Sequence, residues 1–550
     1  MNAPFSRWVA VLALAFIVSS PTGGDDQPSA KTPAEPLSQR EIAFHVLNRL
    51  AFGPRPGGVD DLLRRGWMAW AIEQLDPEKL DDAELEQRVR GLCPSLHMSC
   101  TEVVDAYRPE RPKDRAELTP GEQLAFQQEA NRLRAKAMRE IQDAVLLRAA
   151  LSRRQLFEVM ANFWRNHFSI DQRKDQCELL AGNYEEQVVR KHVFGKFEDM
   201  LLAAAKHPAM LVYLDNVLSQ RPLNEREKGI LERSKGKKKK SEYIQKLERQ
   251  RGLNENFARE LMELHTIGVI NENVPGGYSQ RDVIEIARSL TGWSVSFGEA
   301  GVEFLFRAAV HDDEPKAIGV LNLKLPAGGG VEEGEEILRR LARHPLTARF
   351  LAWKLCRYLV NDRPSDALVQ KIADEYLKTG GDLRAVTRAV LFSDEFYARE
   401  NFRTKFRTPF EFTVSALRAT GSSIDDTTDT LQMLQAMGQP IYQCTDPTGY
   451  YDQAEAWLDP GVLVYRWQFA LRLAAGQMRG ITLPRDYYLP ILQSTPQEMQ
   501  ETLIHTILPG GIDAATESRC GTLLAAGGKP RETAVSLLGA LLGSPTFQEQ

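Results

Sequence analysis

Ser152-Arg-Arg-Gln-Leu-Phe-Glu-Val-Met-Ala-Asn-Phe-Trp-Arg-Asn-His-Phe168 is the stretch that decides the fold class. Ser152 and Gln155 have the spacing of a capping box, which predicts a helix start there. Leu156, Met160, Phe163 and His167 then recur at i, i+4, i+7 and i+11, one face at a 3.6-residue period. The same grammar returns further along. Ser279-Gln-Arg-Asp282 is a second N-terminal box feeding Val283, Ile286, Ala287 and Leu290, with Gly292 as a stop. Asp382 predicts a third helix carrying Leu383, Val386 and Val390. Alternating runs are few, the best being 302–306 and 318–325. The expectation is an all-α, multi-helix body in two packed lobes, with at most a small β hairpin near 302–325.

At 550 residues, with 43% apolar and 26% charged residues, the chain can bury a sizeable core. A net charge of −5 argues against nucleic acid as its partner. Arg7, the eleven-residue apolar run from Trp8 to Val18 and the small residues up to Gly24 read as a signal peptide. That run falls short of the roughly 20 residues a membrane span needs. The expected organisation is a signal peptide at 1–24 and a Pro-rich linker at 25–37. An N-terminal helical lobe (38–330) with a lysine-rich insertion at 224–251 follows, then a C-terminal lobe (331–550) with an aromatic loop at 438–460. After cleavage the protein would be exported to the periplasm or beyond, without stable membrane insertion. Of the six cysteines, Cys93 and Cys100 share a short Pro- and Ser-containing loop and are the expected disulfide.

The densest polar cluster is Asn254-Glu-Asn-Phe-Ala-Arg-Glu-Leu-Met-Glu-Leu-His-Thr-Ile-Gly268. On a helix, Phe257, Leu261 and Leu264 form a buried stripe, and Asn256, Glu260 and Glu263 share its flank within about 60°. His265 falls roughly 160° from Glu263, one turn before Gly268, a predicted C-cap. A metal held by this helix alone is disfavoured, and the HExxH and Glu-x-x-His spacings are absent. A metal site, an acid–base site and a buried ion-pair lattice all remain open. Charges beside an apolar stripe need polar partners facing them. His167, which continues an apolar face, Asp215, Asn216, Asn256, Glu260, Glu263 and His311 are therefore expected to converge from four separate segments.

The catalytic candidates are therefore Glu260, Glu263, His167 and His311. A divalent cation, if one binds, would draw on His167, Glu260, His311 and Asp312. Binding candidates are Asp215, Asn216, Asn254, Asn256, Arg259, Tyr278 and Asp312, with Tyr450 and Trp457 from the long aromatic loop. Loops of that length are often binding loops or lids, and aromatic faces beside Asp and Gln suit a sugar or a peptide. Nucleophile elbows and phosphate loops are absent from the sequence.

Several motifs, in order along the chain, carry a family resemblance. They are His45-Val-Leu-Asn-Arg-Leu-Ala-Phe-Gly53, Phe163-Trp-Arg-Asn-His-Phe168, Tyr213-Leu-Asp-Asn216, the 254–268 segment, Gly276-Gly-Tyr278, Thr291-Gly-Trp293, His311-Asp312, Lys405-Phe-Arg-Thr-Pro409 and Gly438-Gln-Pro440. Together they resemble the bacterial family catalogued as domain of unknown function 1800. Tyr450-Tyr-Asp452 departs from the Gly-Trp-Pro more usual there. The resemblance implies a helical exported protein, often encoded beside another exported family that looks like the sulfatase and alkaline phosphatase superfamily. It implies no reaction. Two function classes follow. In one, the chain is a scaffold or maturation partner of another exported protein, with Arg259 neutralising Glu263 at i+4 inside a Glu/Asn/Arg/His lattice. In the other, a carboxylate and histidine site, metal-dependent or not, hydrolyses or modifies an envelope polymer.

Overall fold

The computed structural model describes residues 35–109, 118–235, 240–248, 252–270, 275–298 and 301–550. It is 63% helical, and among the described residues strands form only three small two-stranded sheets. The all-α class read from the periodicity holds. Around the site lie α1 (Pro120–Leu151), α2 (Gln155–His167), α3 (Cys177–Tyr184), α4 (Glu255–Glu263), α5 (Gln280–Ser289), α6 (Pro345–Leu359) and α7 (Pro409–Ala419).

Local chemistry sets the helix ends. Ser279 Oγ accepts from Asp282 N while the Asp282 carboxylate accepts from Ser279 N, closing the box that starts α5. Asp382 caps its helix through Ala385 N. The box expected at Ser152 is a correction. Ser152 ends α1, and α2 begins at Gln155 with no side-chain cap. Gln155 bridges the junction instead: its amide nitrogen donates to the Ala149 and Ser152 carbonyls, and its Oε1 accepts from Phe52 N. The polar helix is also shorter than the 254–268 segment. Asn254 is its N-cap, accepting from Asn256 N and Phe257 N, and Gly268 (φ +89°) closes the following turn by donating to Met262 O.

The strand runs pair differently from the expected hairpin. Residues 302–306 fall on β2 (Gly301–Phe306), which pairs back onto β1 (Trp293–Gly298), placing Trp293 opposite Phe306. The 318–325 run folds on itself, β3 (Lys316–Ile318) against β4 (Leu323–Leu325), through a turn holding Asn322 at φ +45°. A third pair, β5 (Ser423–Ile424) with β6 (Ile481–Thr482), is two residues long on each side.

Leu37–Gln550 is one compact unit with a continuous apolar core reaching from Ala43 to Phe547. The lobes expected on either side of 330/331 share that core, since the helix Val331–Ala342 packs on both Phe197–Lys206 and α5. Two ends close alike. Ser393 and Ser544 each donate Oγ–H to the carbonyl three residues back and accept from the amide of Phe396 or Phe547, both buried.

The expected disulfide is not formed. Cys93 ends the helix Ala83–Leu92 with its thiol beside the Ala144 backbone of α1, whereas Cys100 Sγ lies 3.4 Å from Asn183 Oδ1 on α3. The two thiols serve different helices. The signal peptide, most of the linker and the centre of the lysine run lie outside the described residues. Among those described, no helix is long and apolar enough to cross a membrane.

Candidate functional site

A cavity of about 270 Å³ opens where α2, α6, the start of α7, the turn after α4 and the loop 439–453 meet. Its chemistry begins with α6. Phe350, Trp353, Lys354, Arg357 and Tyr358 follow at i, i+3, i+4, i+7 and i+8, so all five share one helical face and all five line the cavity. The opposite face, Leu351, Leu355 and Leu359, is buried in the core.

Across from Lys354 stands His167 on α2, fully buried. His167 Nε2 lies 3.1 Å from the His265 carbonyl, which can only accept, so Nε2 carries the proton. Nδ1 is then the acceptor, and Lys354 Nζ donates to it at 2.9 Å. Burial, then the Lys354 and His265 charges, holds His167 neutral well below its usual range. Burial lowers the Lys354 ammonium to about 8, helped by Arg357 and opposed by Asp452. No carboxylate among the described residues lies within ion-pairing distance of Lys354. One turn on, Arg357 Nη2 is 2.9 Å from Asp452 Oδ1 and the guanidinium stacks 4.3 Å from the Trp353 ring. Arg357 Nε is buried without a hydrogen-bond partner among the described residues.

The floor is built by a charge lattice. A single π-helical turn, Glu185–Arg190, continues α3. It directs Glu185 at Arg165 of α2 (3.0 and 2.7 Å) and at the Tyr442 hydroxyl of the loop (2.6 Å). Arg190 pairs with Glu158 on α2 at 2.8 and 3.0 Å. Arg165 and Tyr442 both line the cavity, so this buried lattice positions its lower wall.

The aromatic loop is pinned as a wall. Asn166 grips the Tyr450 backbone in both directions, Nδ2 donating to the Tyr450 carbonyl and Oδ1 accepting from its amide, each at 2.7 Å. Lys405 Nζ donates to the Asp452 carbonyl, and Trp457 Nε1 to the Tyr451 carbonyl. Tyr450 OH donates to Pro440 O. Gly449 (φ +80°) is required where the loop crosses α2, because a Cβ there would come within 2.4 Å of the Asn166 carbonyl.

Of the residues singled out from sequence, His167, Glu263 and Tyr450 line the cavity. Glu263 accepts from Tyr278 OH at 2.7 Å and lies 3.4 Å from Arg259, the i+4 pairing expected of a lattice. Glu260 is half-buried beside it, and burial with the Glu263 and Asp446 charges raises its carboxyl. Asn256 is exposed and Asn254 is a cap. Trp457 supports the loop from beneath.

His311 and Asp312 belong to a different cluster. His311 Nδ1 faces Thr291 O at 2.7 Å, Asp312 holds Arg288 through two 2.9 Å contacts, and Glu333 sits against Lys316 at 2.7 Å. Asn216 is buried with that group, donating to the Leu290 and Trp293 carbonyls, while Asp215 pairs with Lys174 at 2.8 Å. No group of three or more His, Cys, Asp or Glu among the described residues is arranged to hold a metal ion. Sequence reasoning missed Lys354, Arg357 and Asn166. The mixed aromatic and cationic stripe of α6, at helical spacing, was the signal that could have found the first two.

Fold and site together define an all-α protein with one wall of its pocket aromatic and cationic and the rest supported by buried ion pairs. The chain belongs to the family described as Protein of unknown function (DUF1800), whose model matches residues 45–549. No curated protein and no solved structure matches it.

Proposed function

We propose that this pocket is a recognition site for a protruding segment of another exported protein, for which the chain acts as scaffold or maturation partner. The observation that carries the reading is the pocket's mouth. Val269 (77% exposed), Tyr451 (57%) and Trp353 (37%) all border it, an exposed apolar and aromatic rim around a concave centre. Exposed aromatic residues around a concave centre are the composition of protein-interface hot spots. Inside, Glu263, His167 and Arg165 are already hydrogen-bonded to neighbours, which suits binding better than proton transfer. The family resemblance makes a sulfatase- or phosphatase-like exported protein the partner to test first.

The test is site-specific photocrosslinking in the producing bacterium, with the photoreactive residue at Val269 or Tyr451 and a control at exposed Leu92. One shared product from the two rim positions, absent from the control and lost with Trp353→Ala, is expected. Equal labelling from all three positions, or none from the rim, would sink the reading.

A second reading, an envelope-polymer hydrolase, is favoured by the raised carboxyl of Glu260 next to Glu263. It requires turnover of an isolated envelope polymer that Glu260→Gln abolishes, with or without added divalent cations. No turnover under any of those conditions removes it.

A further inference from the structure

We propose that Lys354 and Arg357 form a seat for a carboxylate, so that the segment entering the pocket presents an acidic side chain or a free C-terminus. This rests on the recognition reading above and specifies its ligand.

The argument starts from unspent donors. An ammonium carries three N–H groups. Lys354 Nζ spends one on His167 Nδ1 and faces the Phe350 ring, 5.5 Å from its centroid. His167 cannot answer its charge, because its proton is fixed on Nε2 by the His265 carbonyl. Arg357 adds a buried Nε without a hydrogen-bond partner among the described residues, one helical turn away on the same cavity-lining face. The other charged groups on the wall are engaged. Glu263 is taken by Tyr278 and Arg259, the Glu411 carboxylate accepts from Thr408 N, and Arg165 is held by Glu185. Among the described residues Asp452 is the one acid reaching the pair, and it sits against Arg357.

Two cations a turn apart, with donors left over and aromatic walls on either side, match a carboxylate attached to an apolar or aromatic group. Charge-assisted hydrogen bonds to carboxylate are about twice as strong as neutral ones. Burial lowers the proton affinity of Lys354, and an anion bound beside it would favour the ammonium again. The groups facing it are His167 and His265 from α2 and the turn after α4, Arg357 from α6 and Asp452 from the loop. Both histidines stay neutral above pH 7, so proton uptake on binding there belongs to Lys354.

The experiment uses the full chain and paired probes: N-acetylphenylalanine and its amide, which differ only in the carboxylate. Ligand-observed NMR should show the acid binding at least tenfold tighter. Lys354→Met should remove that preference while leaving the amide unchanged, and Lys354→Arg should restore part of it. At pH 8.5, calorimetry in buffers of different ionisation enthalpy should report proton uptake with the acid only. Equal binding of acid and amide, or equal loss of both in Lys354→Met, overturns the carboxylate seat while leaving the rim crosslinks standing. If neither probe binds at millimolar concentration, the seat is overturned, and missing rim crosslinks would separately overturn the recognition reading. Glucuronate is the third probe. Its binding in preference to both glucose and N-acetylphenylalanine would overturn the peptide source and assign the seat to an acidic sugar.

Discussion

Glu260 and Glu263 lie three residues apart on α4, and their surroundings divide them. Glu263 has Tyr278 and Arg259 as partners, whereas Glu260 has burial and two like charges, with Arg259 the one opposing cation. A carboxyl raised in the folded state adds stability below its unfolded pKa and loses it as pH rises through the folded value. Glu260→Gln is therefore expected to leave thermal stability unchanged or raise it by about 0.2–0.5 kcal/mol at pH 7, the size of a like-charge helix pair. Calorimetric melting at pH 7 checks this, and a loss above ~1 kcal/mol would mean an unrecognised partner for Glu260. Asn166 is the opposite case. Asn166→Ala leaves the half-buried Tyr450 backbone without two hydrogen bonds, and a loss of about 1–3 kcal/mol for each unsatisfied group is the upper bound on the effect. The loop near Tyr450 should then become a site of limited proteolysis, and Gly449→Ala should reproduce that cleavage through its clash with the Asn166 carbonyl and its left-handed backbone. Neither role is readable from sequence, because an asparagine beside His167 carries no mark of which distant backbone it will grip.

At the scale of elements, the helices were legible and some of their junctions were not. The apolar period of α2 predicts its buried face correctly, since Leu156, Met160 and His167 are all buried, yet its start was misplaced. Ser152 and Gln155 satisfy the spacing of a box while serving the end of the preceding helix, and a spacing rule does not know which helix a cap belongs to. The π turn Glu185–Arg190 left still less trace, because an extra residue in a turn has no sequence period. Its effect is large. It brings Glu185 to Arg165 and Tyr442, so the pocket floor depends on a carboxylate that lies outside the pocket. Glu185→Gln is expected to cost about 3–5 kcal/mol by leaving Arg165 without its buried partner. Urea unfolding measures the loss. The tryptophan emission should shift with it, since Trp353 lines the cavity and Trp457 holds the loop through the Tyr451 carbonyl. A change under ~1 kcal/mol would show that the lattice contributes little to folding.

For the whole molecule, the fold class came from short-range periodicity, whereas the site did not, because it joins residues separated by up to about three hundred positions. His167 meets Lys354, and Asn166 meets Tyr450, through packing that composition and spacing do not encode. The same long-range packing gives the molecule a pH response. His45, His207 and His265 are buried on separate elements, and burial lowers each to about 3. Unfolded histidine takes a proton near 6.5, so between about 6.5 and 3 the unfolded chain binds more protons than the folded one. Stability is therefore present above pH 6.5 and lost on acidification, with a limiting slope of about 1.4 kcal/mol per pH unit for each histidine. Most carboxylates join only below about pH 4.5, which leaves a window in which histidine dominates. Urea midpoints measured at pH 7.5, 6.5, 5.75 and 5.0 should dip slightly between the first two, as the unfolded rings begin to take protons, and then fall more steeply. The fall should persist at high salt, because its cause is desolvation and not screened surface charge. His45→Gln should make it shallower by about one histidine's share. A midpoint flat from pH 6.5 to 5.0 would mean that these rings reach solvent or carry their charge inside the folded protein.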